Sequence, residues 1–102
     1  MMDLDRLGLA PFDASDYLDS EEVIVEYLAA ALEDPDPGAF LAAVGDVAKA
    51  RGMTDVAAYS GLGRESLYKA LRLGAKPRFD TVRRLLDALG VRLEIASKSH
   101  TG

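Results

Sequence analysis

The chain has 102 residues, 49% of them hydrophobic, and a mean hydropathy of +0.02, which fits a single domain with a buried core and excludes a wholly disordered chain. There is no Cys, and the only His, His100, lies in a polar Ser/Lys/Thr/Gly tail, so disulfides, thiolate zinc sites and His-centred triads or metal sites lack their residues. No apolar run is long enough to cross a membrane, and acids stand where a signal peptide needs a basic start, so a cytoplasmic binding module without a cofactor is expected, not an enzyme.

The net charge of −5 hides a division. Residues 1–36 carry eleven acids and one base, Arg6, and sum to −10. Residues 37–102 hold eleven bases and six acids and sum to +5; within them residues 49–84 hold nine bases against three acids, or +6. A basic half can meet phosphates and an acidic half a basic protein; charges that neutralise each other within one monomer are the alternative.

Residues 1–18 mix Gly8, Pro11 and scattered apolar side chains and read as an N-terminal arm. A helical domain is expected over 19–96. Its first helix starts at Asp19, which stands at capping-box distance from Glu22. Ile24, Tyr27, Leu28, Ala31 and Leu32 give it a buried stripe. Asp34-Pro35 stops it, because a residue before Pro avoids the helical region. Asp36 and Pro37 then cap and open a second helix, with Phe40, Leu41, Val44, Val47 and Ala48 inward and Gly52 at its end. Thr54 caps a short third helix to about Ser60. A turn at Gly61-Leu62-Gly63 leads into a fourth over Arg64–Arg72, with Leu67 and Leu71 inward. After a loop over Gly74–Pro77, Asp80 caps a last helix whose face is Phe79, Val82, Leu85, Leu86 and Leu89, stopped by Gly90. Val91, Leu93 and Ile95 alternate with Arg92 and Glu94, the period of a short strand. Residues 97–102 read as a disordered tail.

The third and fourth helices carry the functional signal. Ala57 lets two helices cross closely. Gly61, four residues on, supplies a left-handed turn, Leu62 plugs it, and Leu67 and Leu71 anchor the second helix of the pair. This is helix-turn-helix spacing over about 54–72; an ordinary helical hairpin is the competing reading. In a helix-turn-helix the second helix enters the major groove with its N-terminal end. Arg64, Glu65 and Tyr68 then reach base edges: Arg grips guanine at two acceptors, and Glu accepts from cytosine. Tyr68 can instead pack at the hairpin edge. Ser66, Lys69 and Arg72 suit phosphates, as do Lys76 and Arg78 in the next loop and Thr54 at the start of the third helix. Gly61-x-Gly63 lacks the rest of a dinucleotide loop, and Asp34 and Asp36 lack the rest of a calcium loop.

Phe12-Asp13-Ala14-Ser15-Asp16-Tyr17-Leu18, running into the acidic helix, and Ser60-Gly61-Leu62-Gly63-Arg64-Glu65-Ser66-Leu67-Tyr68-Lys69-Ala70-Leu71 together resemble the addiction-module antidote proteins, grouped with HigA-type antitoxins of type II toxin–antitoxin systems. The resemblance spans about residues 11–95. It implies an all-α, lambda-repressor-like five-helix DNA-binding domain, here with an N-terminal arm and a short C-terminal strand. It also implies binding and inhibition of a small basic toxin of the RelE/ParE superfamily, and repression of the protein's own operon as a homodimer. Gly63 departs from the family, where Ser is more usual, and removes a hydroxyl cap from the recognition helix.

The toxin contacts expected from charge and resemblance are Phe12, Tyr17, Leu18, Glu22, Val25 and Glu26. Val25 lies off the buried stripe among acids, and aromatic and aliphatic anchors dominate interface energy while rim charges steer encounter. Phe12 and Leu18 have a second possible place, folded back on the protein's own core. Two other functions stay open on sequence alone: a stand-alone helix-turn-helix regulator with no toxin partner, and a helical interaction bundle that does not bind DNA.

Overall fold

A computed structural model describes residues 18–98. It contains five helices, in order α1 (Glu21–Leu32), α2 (Pro37–Arg51), α3 (Met53–Ser60), α4 (Arg64–Leu71) and α5 (Phe79–Ala88). Helix α1 packs on α2, α2 on α3 and α4, and α3 on both α4 and α5. The all-helical class and the five helices agree with the expectation from sequence.

Helix α1 begins one residue later than the Asp19 capping box predicts. Ser20 is extended, and its Oγ accepts from the Val23 N–H at 3.3 Å. The residue three beyond the true cap is therefore Val23, not a Glu, and the reciprocal half of a capping box is missing. Glu21 and Glu22 fall in the first turn, beside the positive end of the helix dipole. Helix α2 starts as read: the Asp36 carboxylate accepts from the Gly38 N–H at 2.9 Å, and Pro37 opens the helix. Gly52 ends α2, its N–H donating to the Ala48 carbonyl at 2.9 Å, and the same residue caps α3. Thr54 is thus inside the first turn of α3 and not its cap.

Asp80 is displaced likewise. Arg78 occupies the cap of α5, and Asp80 sits within the first turn, paired with Arg78 at 3.6 Å. The strand expected over Val91–Ile95 does not form. None of the described residues is in a strand, and the Val91 N–H turns back to the Leu86 carbonyl at 3.0 Å as part of the end of α5. A strand needs a neighbour to complete its ladder, and the described chain offers none.

The core gathers one residue or more from every helix: Ile24 and Leu28, Ala43, Val44, Val47 and Ala48, Val56 and Ala57, Leu67, and Leu85 with Leu86. Leu18, ahead of α1, and Leu89, just past α5, complete it, Leu18 at 4% exposure. Two expected core residues face water: Leu32, at the last position of α1, and Phe79, at the first position of α5. A residue in a terminal turn has no adjoining turn to cover it.

Tyr27 lies on the apolar stripe of α1 yet makes a polar link. Its hydroxyl donates to Asp46 Oδ2 on α2 at 2.5 Å. That bond, partial burial and the Asp46 charge push the phenol pKa from 10.0 up to about 12.

Candidate nucleic-acid interface

The unit of α3, turn and α4 is held by its own short-range bonds. Gly61 adopts the left-handed conformation at φ 76°, where the sequence places the sharp turn. The Gly63 N–H reaches back to the Ala57 carbonyl at 3.3 Å. Ser60, which the helix-turn-helix pattern does not single out, is buried, and its hydroxyl bridges the corner. It donates to the Ala57 carbonyl and accepts from the Leu62 N–H, each at 3.3 Å. A Ser directly before Gly-x-Gly is the signal that could have marked it, since a hydroxyl at a turn satisfies backbone groups the helix releases. Gly63 caps α4 at φ 81° with no side-chain cap bond, as the missing hydroxyl implies. The positive φ adds a reason for the departure from Ser: an L side chain is strained there. Below the turn, Val56, Ala57 and Leu67 are buried, which fixes the outward face of α4.

That face gathers the candidate side chains. Arg64, Glu65, Ser66, Tyr68 and Lys69 of α4 are all exposed, as is Arg72 just beyond its end. Arg64 bends back across the corner. Its Nη1 donates to Thr54 Oγ1 at 2.6 Å, its Nη2 to the Tyr68 hydroxyl at 3.4 Å, and its Cζ stands 5.5 Å from the centre of the Tyr68 ring. Three residues singled out separately in the sequence thus form one cluster, and Tyr68 meets Arg64 without leaving the surface. Thr54 reaches it because Gly52 has taken over the capping of α3. Lys76 is exposed in the loop between α4 and α5; Arg78, with its side chain 88% exposed, is engaged with Asp80. Beside Tyr68 and Arg72, a shallow groove of about 380 Å³ is also lined by Gly45, Lys49 and Met53. Lys49 therefore joins the basic side of the domain from the end of α2, which a reading confined to the third and fourth helices misses.

The expected toxin contacts divide. Glu22, Val25 and Glu26 are exposed on α1, Val25 at 50%. Leu18 takes the second of its two possible places, the core, because it precedes the cap of α1 and packs under the helix it introduces. Phe12 and Tyr17 lie outside the described residues, as do most of the N-terminal arm and residues 99–102 of the tail. Alongside Val25, Leu32 and Ala29 of α1 border an open groove of about 540 Å³ shared with Phe40, Val91 and Leu93. Among the described residues no group of His, Asp and Glu could hold a metal, and no helix is long and apolar enough to cross a membrane.

Residues 8–97 match the family described as "Probable addiction module antidote protein". The chain belongs to this family. A protein of Haemophilus influenzae, described as uncharacterized, is 39% identical over 87 residues, covering 85% of this chain and 90% of that protein. No solved structure matches. An antidote of an addiction module has a toxin as partner, so the acidic and basic sides of this antidote are to be read with such a partner in view.

Proposed function

We propose that this antidote is a HigA-type antitoxin with two binding sides and no catalytic activity. The α3–turn–α4 unit acts as a lambda-repressor-like helix-turn-helix that binds operator DNA in the cytoplasm and represses the antidote's own operon. The acidic side, with Glu22, Val25 and Glu26 on α1, binds and neutralises a basic toxin of RelE/ParE type. The observation that carries the DNA reading is Arg64: the first residue of α4 and exposed, with Lys69, Arg72 and Lys76 also exposed on α4 and the loop that follows it. A guanidinium at the leading end of a helix that is free on its outer face is the group that reads guanine. Family membership favours a toxin partner over a stand-alone regulator.

The antidote acts as a homodimer, since such motifs read paired half-sites. Arg92 is paired with Glu94 within the chain, at 2.9 Å, and the apolar side chains between and beyond them are open to a second copy. Leu93 and Ile95 are exposed in the single chain, at 40% and 101%.

The test is a gel shift on the DNA upstream of the antidote's own gene. Arg64→Ala weakens binding by about 1–3 kcal/mol and relaxes the base preference at one position. Lys69→Ala weakens all sequences alike and lowers the salt slope by about one. Binding unchanged in both variants refutes the assignment of α4 as the reading helix.

A further inference from the structure

The Arg64 side chain is held in place before any DNA is present. A free Arg side chain samples many rotamers, and fixing it on binding costs affinity. Here two elements constrain it together: a hydroxyl from α3, at 2.6 Å, and a hydroxyl and ring from one turn further along α4. A guanidinium has five N–H donors. One on each terminal nitrogen is engaged, to Thr54 and to Tyr68. The Nε–H and one N–H on each terminal nitrogen are left. Two of these suffice for the paired acceptors O6 and N7 of guanine.

We propose that Thr54 and Tyr68 are positioning residues for Arg64, and that the three form a pre-set reader for one guanine in the major groove of duplex DNA. The inference rests on the DNA-binding reading above and goes beyond it. Thr54 acts through Arg64 and not through a phosphate, and Tyr68 acts as a platform and not as a base reader. The Arg64 guanidinium stands over the Tyr68 ring, its Cζ 5.5 Å from the ring centre, and the ring so restricts the direction of its fork. A fork held in one direction cannot swing aside to a phosphate when the base is wrong. Its donors then meet a mismatched edge and are left unpaired. Releasing the clamp therefore erodes discrimination more than it erodes attraction to the backbone.

The experiment selects duplexes from a random library with the full-length protein, then measures affinity for all four bases at the guanine position and the salt slope for each variant. Thr54→Val removes the hydroxyl at nearly constant shape, Thr54→Ser restores it, and Tyr68→Leu removes the ring. Thr54→Val and Tyr68→Leu are expected to lower the preference for guanine by about two- to twelvefold, the cost of immobilising one rotamer-rich side chain. The salt slope stays unchanged, since no charge is removed, and Thr54→Ser keeps the preference. In the DNA-free protein, Arg64 Cζ relaxation shows greater mobility in Thr54→Val than in the parent. The proposal is overturned if both variants weaken every sequence by a common factor with the guanine preference intact, or if neither changes preference or mobility. Failure of the parent chain to select any sequence is a different result: it removes the DNA-binding reading itself, and the proposal with it.

Discussion

Tyr27→Phe is a sharp test of how α1 is fastened to α2. The substitution keeps the ring on the stripe of α1 and deletes only the hydroxyl that donates to Asp46. A hydrogen bond to a charged acceptor contributes about 1.5–3 kcal/mol, so the variant should lose about that much stability near pH 7. The pH dependence gives a second, independent signature. The phenol pKa is raised from 10.0 to about 12 in the folded chain. Below pH 10 the phenol is protonated in both states and the bond's contribution is complete. Between pH 10 and 12 the unfolded chain releases the proton while the folded chain retains it, so stability falls as pH rises. At 1.36 kcal/mol per unit, the two units set an upper bound of about 2.7 kcal/mol on the loss. Urea titrations of both proteins at intervals from pH 8 to 12 measure it. The gap between parent and Tyr27→Phe should be constant to about pH 10 and then narrow. A gap that stays the same through pH 12 would show that the hydroxyl is not bonded to Asp46 in the folded protein.

Leu67 is fully buried under α4, so Leu67→Ala should cost about 2–5 kcal/mol in a urea titration, a large part of the stability of a small domain; a loss below about 1 kcal/mol would contradict the packing. Glu22→Lys with Glu26→Lys should slow association with the toxin, with a smaller effect at high salt, because both side chains are exposed and act by steering; unchanged stopped-flow rates at low salt would remove α1 from the toxin side. Sedimentation should show a homodimer at micromolar concentration, as the reading of paired half-sites requires; a chain that stays monomeric at that concentration rules the dimer out.

Helix existence is legible because each helix carries its own period and its own punctuation. Asp36-Pro37, Gly52, Gly61 and Gly90 mark ends that the structure keeps. Cap identity is less legible. Asp19 and Ser20 are both good caps, as are Gly52 and Thr54 at different ends of one short step, and side-chain type alone does not choose between adjacent candidates. Tertiary closure makes the choice: Leu18 must reach the core, which places the first turn of α1 one residue later. The strand expected at Val91–Ile95 fails for a related reason. Period two tells which way side chains alternate but not whether a second strand lies alongside. In the candidate site, the sequence brings out Thr54, Arg64 and Tyr68 individually. Their contact is not legible, because it depends on the crossing of α3 and α4. Lys49 and Ser60 escape the sequence pattern, since one lies on a different helix and the other spends its hydroxyl within the turn.

Gly52 ends α2 and starts α3 with no residue between them, at φ 105°. Helices α2 and α3 are therefore joined through a single residue as well as packed on one another. Helix α2 carries α1 and its acidic face, while α3 carries the Thr54 end of the Arg64 cluster. Any partner that tilts α2 must turn α3 through the two dihedrals of that one residue or strain the packing between them.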